Sequence, residues 1–185
     1  MNPLAAQLRG RLYDYPPREI VAVHDYRDET GSLLCQLVRL RPRGRRWRRS
    51  EPGKPGGWAW TCQGMRRVLY RLPQLLAADP ATWVFIVNTE RVVDALAALG
   101  LVTTCCPGGM RKWSKLSDWS ALAGRKVCII APTKSLTAWI YAEDVARRLH
   151  RTVAEVKVLA LPSRGGDVIA WIGVQRAAKG KNTRV

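Results

Sequence analysis

The sequence predicts an α/β protein, a mainly parallel sheet flanked by helices with an N-terminal antiparallel β-hairpin appendage. Three observations point there. The apolar run Val84 to Val87 ends abruptly at Asn88-Thr89 and passes at once into a helix-period pattern, as a buried strand does when it feeds a helix at the carboxyl edge of an open sheet. That strand-then-helix grammar repeats through residue 161. Before it, two strand-like runs flank a turn containing Gly31, the pattern of a β-hairpin. A chain of 185 residues, 47% of them hydrophobic, suits one domain, or a small domain with an appendage, able to bury a core.

Residues 1–19 show no clear periodicity and close at Pro16-Pro17, a turn or linker. Glu19 to Tyr26 reads as a strand, 27–32 as a turn, and Leu33 to Leu40 as the returning strand. Arg39, Arg41, Arg43, Arg45, Arg46, Arg48 and Arg49 follow within eleven residues, with Trp47 among them. Glycines and prolines at 52–57 make 39–57 an expected mobile or extended hairpin arm. Trp58-Ala59-Trp60 alternates as a short strand with both indoles on one face, where core packing of the hairpin sheet is the simpler reading. Residues 63–77 form a short amphipathic segment interrupted by Pro73. The expected boundary lies at Asp79-Pro80, separating a β-rich region 20–80 from an α/β domain 81–174.

Within that domain a helix is expected at about 90–99, with Val92, Val93, Leu96 and Leu99 on one face and Gly100 as its C-cap. Leu101 to Thr104 is the second strand, and a loop runs from Cys105 to Lys112. A short helix near 114–122 precedes the strand Lys126 to Ala131, apolar on both faces as buried parallel strands are. A helix around 136–150 turns Trp139, Ala142, Val145, Ala146 and Leu149 inward. Val153 to Leu161 is a fourth strand, and 167–172 a last helical turn. The tail 175–185 carries four basic residues and is expected to be disordered.

The formal net charge is +17, from 31 Lys and Arg against 14 Asp and Glu. An excess this large predicts salt-sensitive attraction to nucleic acid or another polyanion. Arginine offers forked donors for phosphate oxygens, and its plane, like the indole of Trp47, stacks on a base. Seven like charges in so short a span repel one another, which favours a counter-charged partner over a merely solvated loop. The five cysteines include no Cys-x-x-Cys and are joined by only two histidines, so zinc-ligand spacing is absent. Cys35, Cys62 and Cys128 read as small core residues, while the vicinal pair Cys105-Cys106 falls in a loop where redox chemistry is conceivable. The amino terminus lacks a charged-then-apolar signal, and no apolar run approaches the ~20 residues a membrane span needs. A cytoplasmic protein with reduced thiols, and no membrane association, is expected.

The order and spacing of several pieces carry a family resemblance. They are 23–31, 56–60 and 67–76 in the N-terminal part, then Val93-Asp-Ala-Leu96, Leu99-Gly-Leu-Val102, Pro107-Gly-Gly109, Lys112-Trp113, 142–149, and Gly166-Asp-Val168 with Trp171. Over roughly residues 20–172 the chain resembles the Toprim-type module of bacterial, phage and plasmid primases, in the version found in primase-helicase-like proteins of mobile elements. The resemblance implies a Toprim/Rossmann-like sheet and acids at strand ends that hold divalent metal for phosphoryl chemistry. At the positions matching those acids and the adjacent glycines, this chain has Asn88, Thr89 and Val92, then Thr133, Ser135 and Ala138, then Ala170. Magnesium wants carboxylate or phosphate oxygens, and two-metal chemistry needs anionic groups to hold the ions. Neutral Asn, Thr and Ser do not replace those carboxylates, and Lys134 repels a cation. The same residues can instead meet a phosphate directly, through neutral donors and one ammonium.

No catalytic residues, metal or cofactor are therefore expected. The nucleic-acid-binding set comprises the seven arginines, Trp47, Lys134, and Arg111 and Lys112 of the 105–112 loop. The resulting expectation is an inactive Toprim-like protein that binds DNA, RNA or a nucleoprotein complex. It would act as an accessory or inhibitory factor in mobile-element replication or against a host defence complex, in the manner of an anti-CRISPR. Two alternatives stand beside it: an active metal-dependent primase or nuclease fragment using Glu90 or Asp167, and a protein-binding module docking on an acidic surface.

Overall fold

The structure, a computed structural model, describes residues 19–109, 118–131, 136–161 and 168–171. The chain divides into two compact units. One contains residues 19–24 and 35–63 and the other residues 25–34 and 64–171. Among the described residues no helix is long and apolar enough to cross a membrane.

A four-stranded sheet has the order β1-β2-β3-β4, with β1 at Glu19–Arg27, β2 at Leu33–Arg41, β3 at Arg45–Ser50 and β4 at Trp58–Ala59. The turn between β1 and β2 is closed by Asp28, whose carboxylate accepts from the backbone N–H of Thr30 and Ser32 and from the Thr30 hydroxyl. Gly31 takes the left-handed conformation there (φ +88°), as the turn requires. The arginine-rich segment adopts the extended-hairpin form: β3 pairs antiparallel with β2, placing Arg45 opposite Arg39, Arg46 opposite Val38, Trp47 opposite Leu37 and Arg48 opposite Gln36. Leu37 and Val38 are buried, and their burial offsets the like-charge pairing of Arg39 with Arg45, which is unfavourable in a ladder. A 3₁₀ turn at Pro55–Gly57 carries the chain into β4, which pairs antiparallel with β3.

The second sheet is wholly parallel, in the order β6-β5-β7-β8: β5 is Val84–Ile86, β6 Val102–Thr104, β7 Lys126–Ala131 and β8 Glu155–Ala160. The helices are α1 at Leu72–Ala77, α2 at Glu90–Ala97 and α3 at Leu136–Leu149. A 3₁₀ turn covers Ser120–Leu122, and 168–171 is a single helical turn. Leu69, Leu75, Val84, Ile86, Leu122, Val127, Ile129, Ala142, Val145 and Leu149 form one buried core. The expected strands and principal helices are therefore present, with both sheet types as read from periodicity.

Three local expectations change. Pro73 does not interrupt a helix but begins one, in the first turn of α1, where its missing N–H costs nothing. Leu99 is 40% exposed because α2 ends before it. Gly100 (φ +82°) closes that end, the N–H of Leu101 bonding the Leu96 carbonyl and that of Gly100 the Ala97 carbonyl, a Schellman cap. Trp139, expected inward, is 38% exposed and donates its indole N–H to Glu143 Oε1 at 2.8 Å. Ala142, Val145 and Leu149 do face the core, each with no accessible surface. The expected helix at 114–122 and the tail 175–185 lie largely or wholly outside the described residues.

Arg125, just before β7, is buried, and its guanidinium donates to the carbonyls of Ala78 and Asp79 at 3.3–3.4 Å. It thereby ties the α1–β5 connection to the parallel sheet. Arg125→Ala strips these buried carbonyls of a charged donor and is expected to cost about 2–3 kcal/mol. Urea unfolding should show the midpoint falling with the slope unchanged.

Candidate functional site

The carboxyl edge of β5 is built from the strand outward. Val87 donates its N–H to the Thr104 carbonyl at 3.1 Å, keeping the chain in register with β6 one residue past the strand. Half-buried Asn88 and Thr89 follow. Thr89 is the extended N-cap residue of α2, and its carbonyl accepts from the N–H groups of Val92 and Val93. The loop after β6 closes on the same edge: a Cβ on Gly109 (φ +86°) would lie 3.3 Å from the Asn88 carbonyl oxygen. Glycine is needed there for both conformation and room.

Of the residues singled out by the resemblance, Asn88 and Thr89 thus sit side by side at the start of α2. Val92 lies one turn later and is 7% exposed, an apolar side chain turned to the core. Ala170 is exposed on the helical turn 168–171. Thr133, Lys134 and Ser135, like Arg111 and Lys112, lie outside the described residues. Among the described residues no group of three His, Cys, Asp or Glu side chains is placed to hold a metal ion.

The acids nearest this edge are engaged. Glu90, the first residue of α2, is 3% exposed, and its Oε1 accepts the Tyr26 hydroxyl at 2.6 Å. The Tyr26 ring stands 5.2 Å from that of Tyr70, tilted by 50°. The Tyr70 hydroxyl in turn donates to the Asp94 carboxylate at 3.1 Å, and Arg71 Nη1 lies 3.6 Å from the same group. Asp94 is thus a paired, half-exposed acid. Arg71 reaches it from a left-handed backbone (φ 60°), a conformation costing a non-glycine residue about 1–2 kcal/mol. Cys105 and Cys106 line the same interior, both buried. Burial raises the Cys105 thiol well above its ordinary value, with the Glu90 charge adding to the effect. Burial likewise pushes Cys106 up to about 12. Thiol redox chemistry needs accessible thiolate, so in the structure this vicinal pair serves as small core side chains.

A hydroxyl–carboxylate seam within one unit escapes sequence periodicity, because its two sides are 64 residues apart. The alternation of β1 does place His24 and Tyr26 on one face, and both are buried. A tyrosine on a core-facing strand position needs a hydroxyl partner, which is the signal that points to the seam.

In the other unit, Arg41, Arg43, Arg45 and Arg46 are exposed, while Arg39, Trp47, Arg48 and Arg49 are half-buried. Arg41 lies 3.7 Å from Glu19, and Arg49 3.3 Å from Glu51. Among the described residues Arg43, Arg45 and Arg46 make no ion pair. Trp58 and Trp60, expected in the sheet core, are instead half-buried and 49% exposed respectively. The Arg48 guanidinium carbon lies 4.1 Å from the Trp58 ring centroid and 5.6 Å from that of Trp60.

Two outcomes follow from these buried groups. Tyr26→Phe leaves the buried Glu90 carboxylate without its hydroxyl donor and is expected to cost about 1–3 kcal/mol. In a double-mutant cycle with Glu90→Gln the combined loss should be smaller than the sum, as coupled partners require. Stability should also fall at alkaline pH. The folded chain keeps the Cys106 proton to about pH 12 and the Cys35 proton to about pH 11, while an unfolded thiol releases it near its ordinary value. Their stabilisation is complete below about pH 8.5 and declines as pH rises toward the folded values, by about 1.4 kcal/mol per pH unit per group. Thermal midpoints measured from pH 8 to 11 should drop, and Cys106→Ala should make the drop shallower.

No family model and no curated protein matches the chain. Solved structures do. A chain in the bacteriophage T7 complex of lagging-strand DNA polymerase with primase domains bound to an RNA/DNA hybrid and dTTP superposes with a TM-score of 0.54 at 14% identity, over 83% of this chain and 72% of that one. The primase fragment of the bacteriophage T7 primase-helicase protein gives 0.51 at 12% identity, over 85% of this chain and 61% of the fragment. The chain has a primase-like fold.

Proposed function

We propose that this chain is a catalytically inactive, Toprim-like nucleic-acid-binding protein, acting as an accessory or inhibitory factor on a nucleic-acid complex. The observation that carries this reading is the arginine strand. Arg39 and Arg45 stand directly opposite one another in the β2–β3 ladder, and Arg43, Arg45 and Arg46 make no ion pair among the described residues. The like-charge repulsion of such an array is relieved when a polyanion neutralises it. The net charge of +17 acts in the same direction over the whole molecule. The similar T7 assembly holds primase domains with an RNA/DNA hybrid, which supports nucleic acid over an acidic protein as the counter-charge.

Inactivity rests on donor chemistry at the β5 edge. An amide and a hydroxyl at 88 and 89, and a buried isopropyl group at 92, supply no anionic oxygen for a divalent ion. Glu90 is buried against Tyr26, and Asp94 is paired with Tyr70 and Arg71. Asn88 and Thr89 offer neutral donors suited to a phosphate oxygen without an intervening metal.

Anisotropy titrations of labelled DNA and RNA test both halves. Affinity should be unchanged when Mg²⁺ is replaced by a chelator. Arg45→Ala combined with Arg46→Ala should weaken binding about tenfold or more at low salt and reduce the salt slope by about 2. A strict Mg²⁺ requirement, or template-directed primer synthesis that Glu90→Gln abolishes, would overturn the reading.

A further inference from the structure

The paired arginine strand does more than concentrate charge. Alternation along β3 puts Arg46, Arg48 and Ser50 on one face, and the ladder places Gln36 beside Arg48 and Trp58 beside Ser50. Trp60 follows β4 on that side. The result is a compact stack. The Arg48 guanidinium lies 4.1 Å from the Trp58 centroid and 5.6 Å from that of Trp60, while Gln36 Oε1 accepts its Nε–H at 2.7 Å. The hydrogen bond fixes the guanidinium plane, and the plane holds the two indoles in place. Cation–π contacts at such a partly exposed position are worth only about 0.5–1 kcal/mol each, so they do not account for leaving an indole 49% exposed just past β4 of an otherwise arginine-rich sheet.

Resting on the nucleic-acid reading above, we propose that Trp58, Arg48 and Trp60 form a base-stacking step that makes this hairpin selective for single-stranded over duplex nucleic acid. An exposed indole offers a flat π-face to any unpaired base, whatever its identity. Bases within a duplex have both faces occupied by their neighbours and cannot use it without unstacking. Arg45 and Arg46, exposed at the start of β3, supply phosphate contacts that do not distinguish strand number. The sheet thus divides the work: the arginines hold the backbone, and the tryptophans read whether the bases are free.

The discriminating experiment measures anisotropy of labelled oligo(dT), oligo(rU) and a mixed-sequence duplex against the wild-type chain, Trp60→Ala, Trp60→Phe and the Arg45→Ala/Arg46→Ala variant. Trp60→Ala is expected to lose about tenfold on both single strands, roughly one stacked base, with duplex affinity and salt slope unchanged. Trp60→Phe should recover most of that loss, which separates stacking from a folding defect. The double arginine variant should instead weaken single strands and duplex alike. If Trp60→Ala leaves single-strand affinity intact, or lowers duplex affinity equally, this inference fails while nucleic-acid binding stands. If the wild-type chain binds none of the three probes, both readings fall.

Discussion

The second unit depends on the burial of β5 at the centre of its parallel sheet. Val84 and Ile86 have no accessible surface, and the strand pairs with β6 on one edge and β7 on the other. A strand only three residues long can hold that place because both its hydrogen-bonding edges and its apolar side chains are fully used. The polar residues Asn88 and Thr89 follow at its carboxyl end, half-buried where helix α2 begins. The loop after β6 closes on the same edge, with Gly109 against the Asn88 carbonyl, at the carboxyl end where open α/β sheets place their chemistry.

Beside that edge, the unit accepts an unusual burden. A carboxylate buried at Glu90 is tolerable only because Tyr26 donates to it, since an unpartnered buried charge costs several kcal/mol. Tyr70 extends the seam to Asp94. Both acids thus accept tyrosine hydroxyls from within the same unit. The hairpin turn at 25–34 belongs to the same compact unit, so Tyr26 is a structural element of the α/β body although it lies in β1.

Much of this was legible beforehand because it depends on neighbours in the chain. Alternation marked the hairpin, Gly31 its turn, and Gly100 the end of α2. The apolar run at 126–131 announced a strand buried on both faces. Pro73 was misread because its sequence context does not say whether a helix precedes or follows it. Leu99 and Trp139 were assigned inward from their period, yet one lies past a helix end and the other uses its N–H on Glu143. The arginine run revealed its charge and an arm either mobile or an extended hairpin, of which the β2–β3 pairing is the second, and the tryptophans look like core because nothing local shows which face of a sheet is covered.

Residue order alone determined the class of fold, the excess of positive charge, and the identities of Asn88, Thr89 and Val92 at the β5 edge. These follow from period, composition and spacing, all properties of neighbouring residues. Tertiary structure decided which side chains are spoken for. It buried Glu90 against Tyr26 and set Arg48 between Gln36, Trp58 and Trp60. Such pairings join residues far apart in the chain, and whether a charge is free, paired or stacked depends on those distant partners.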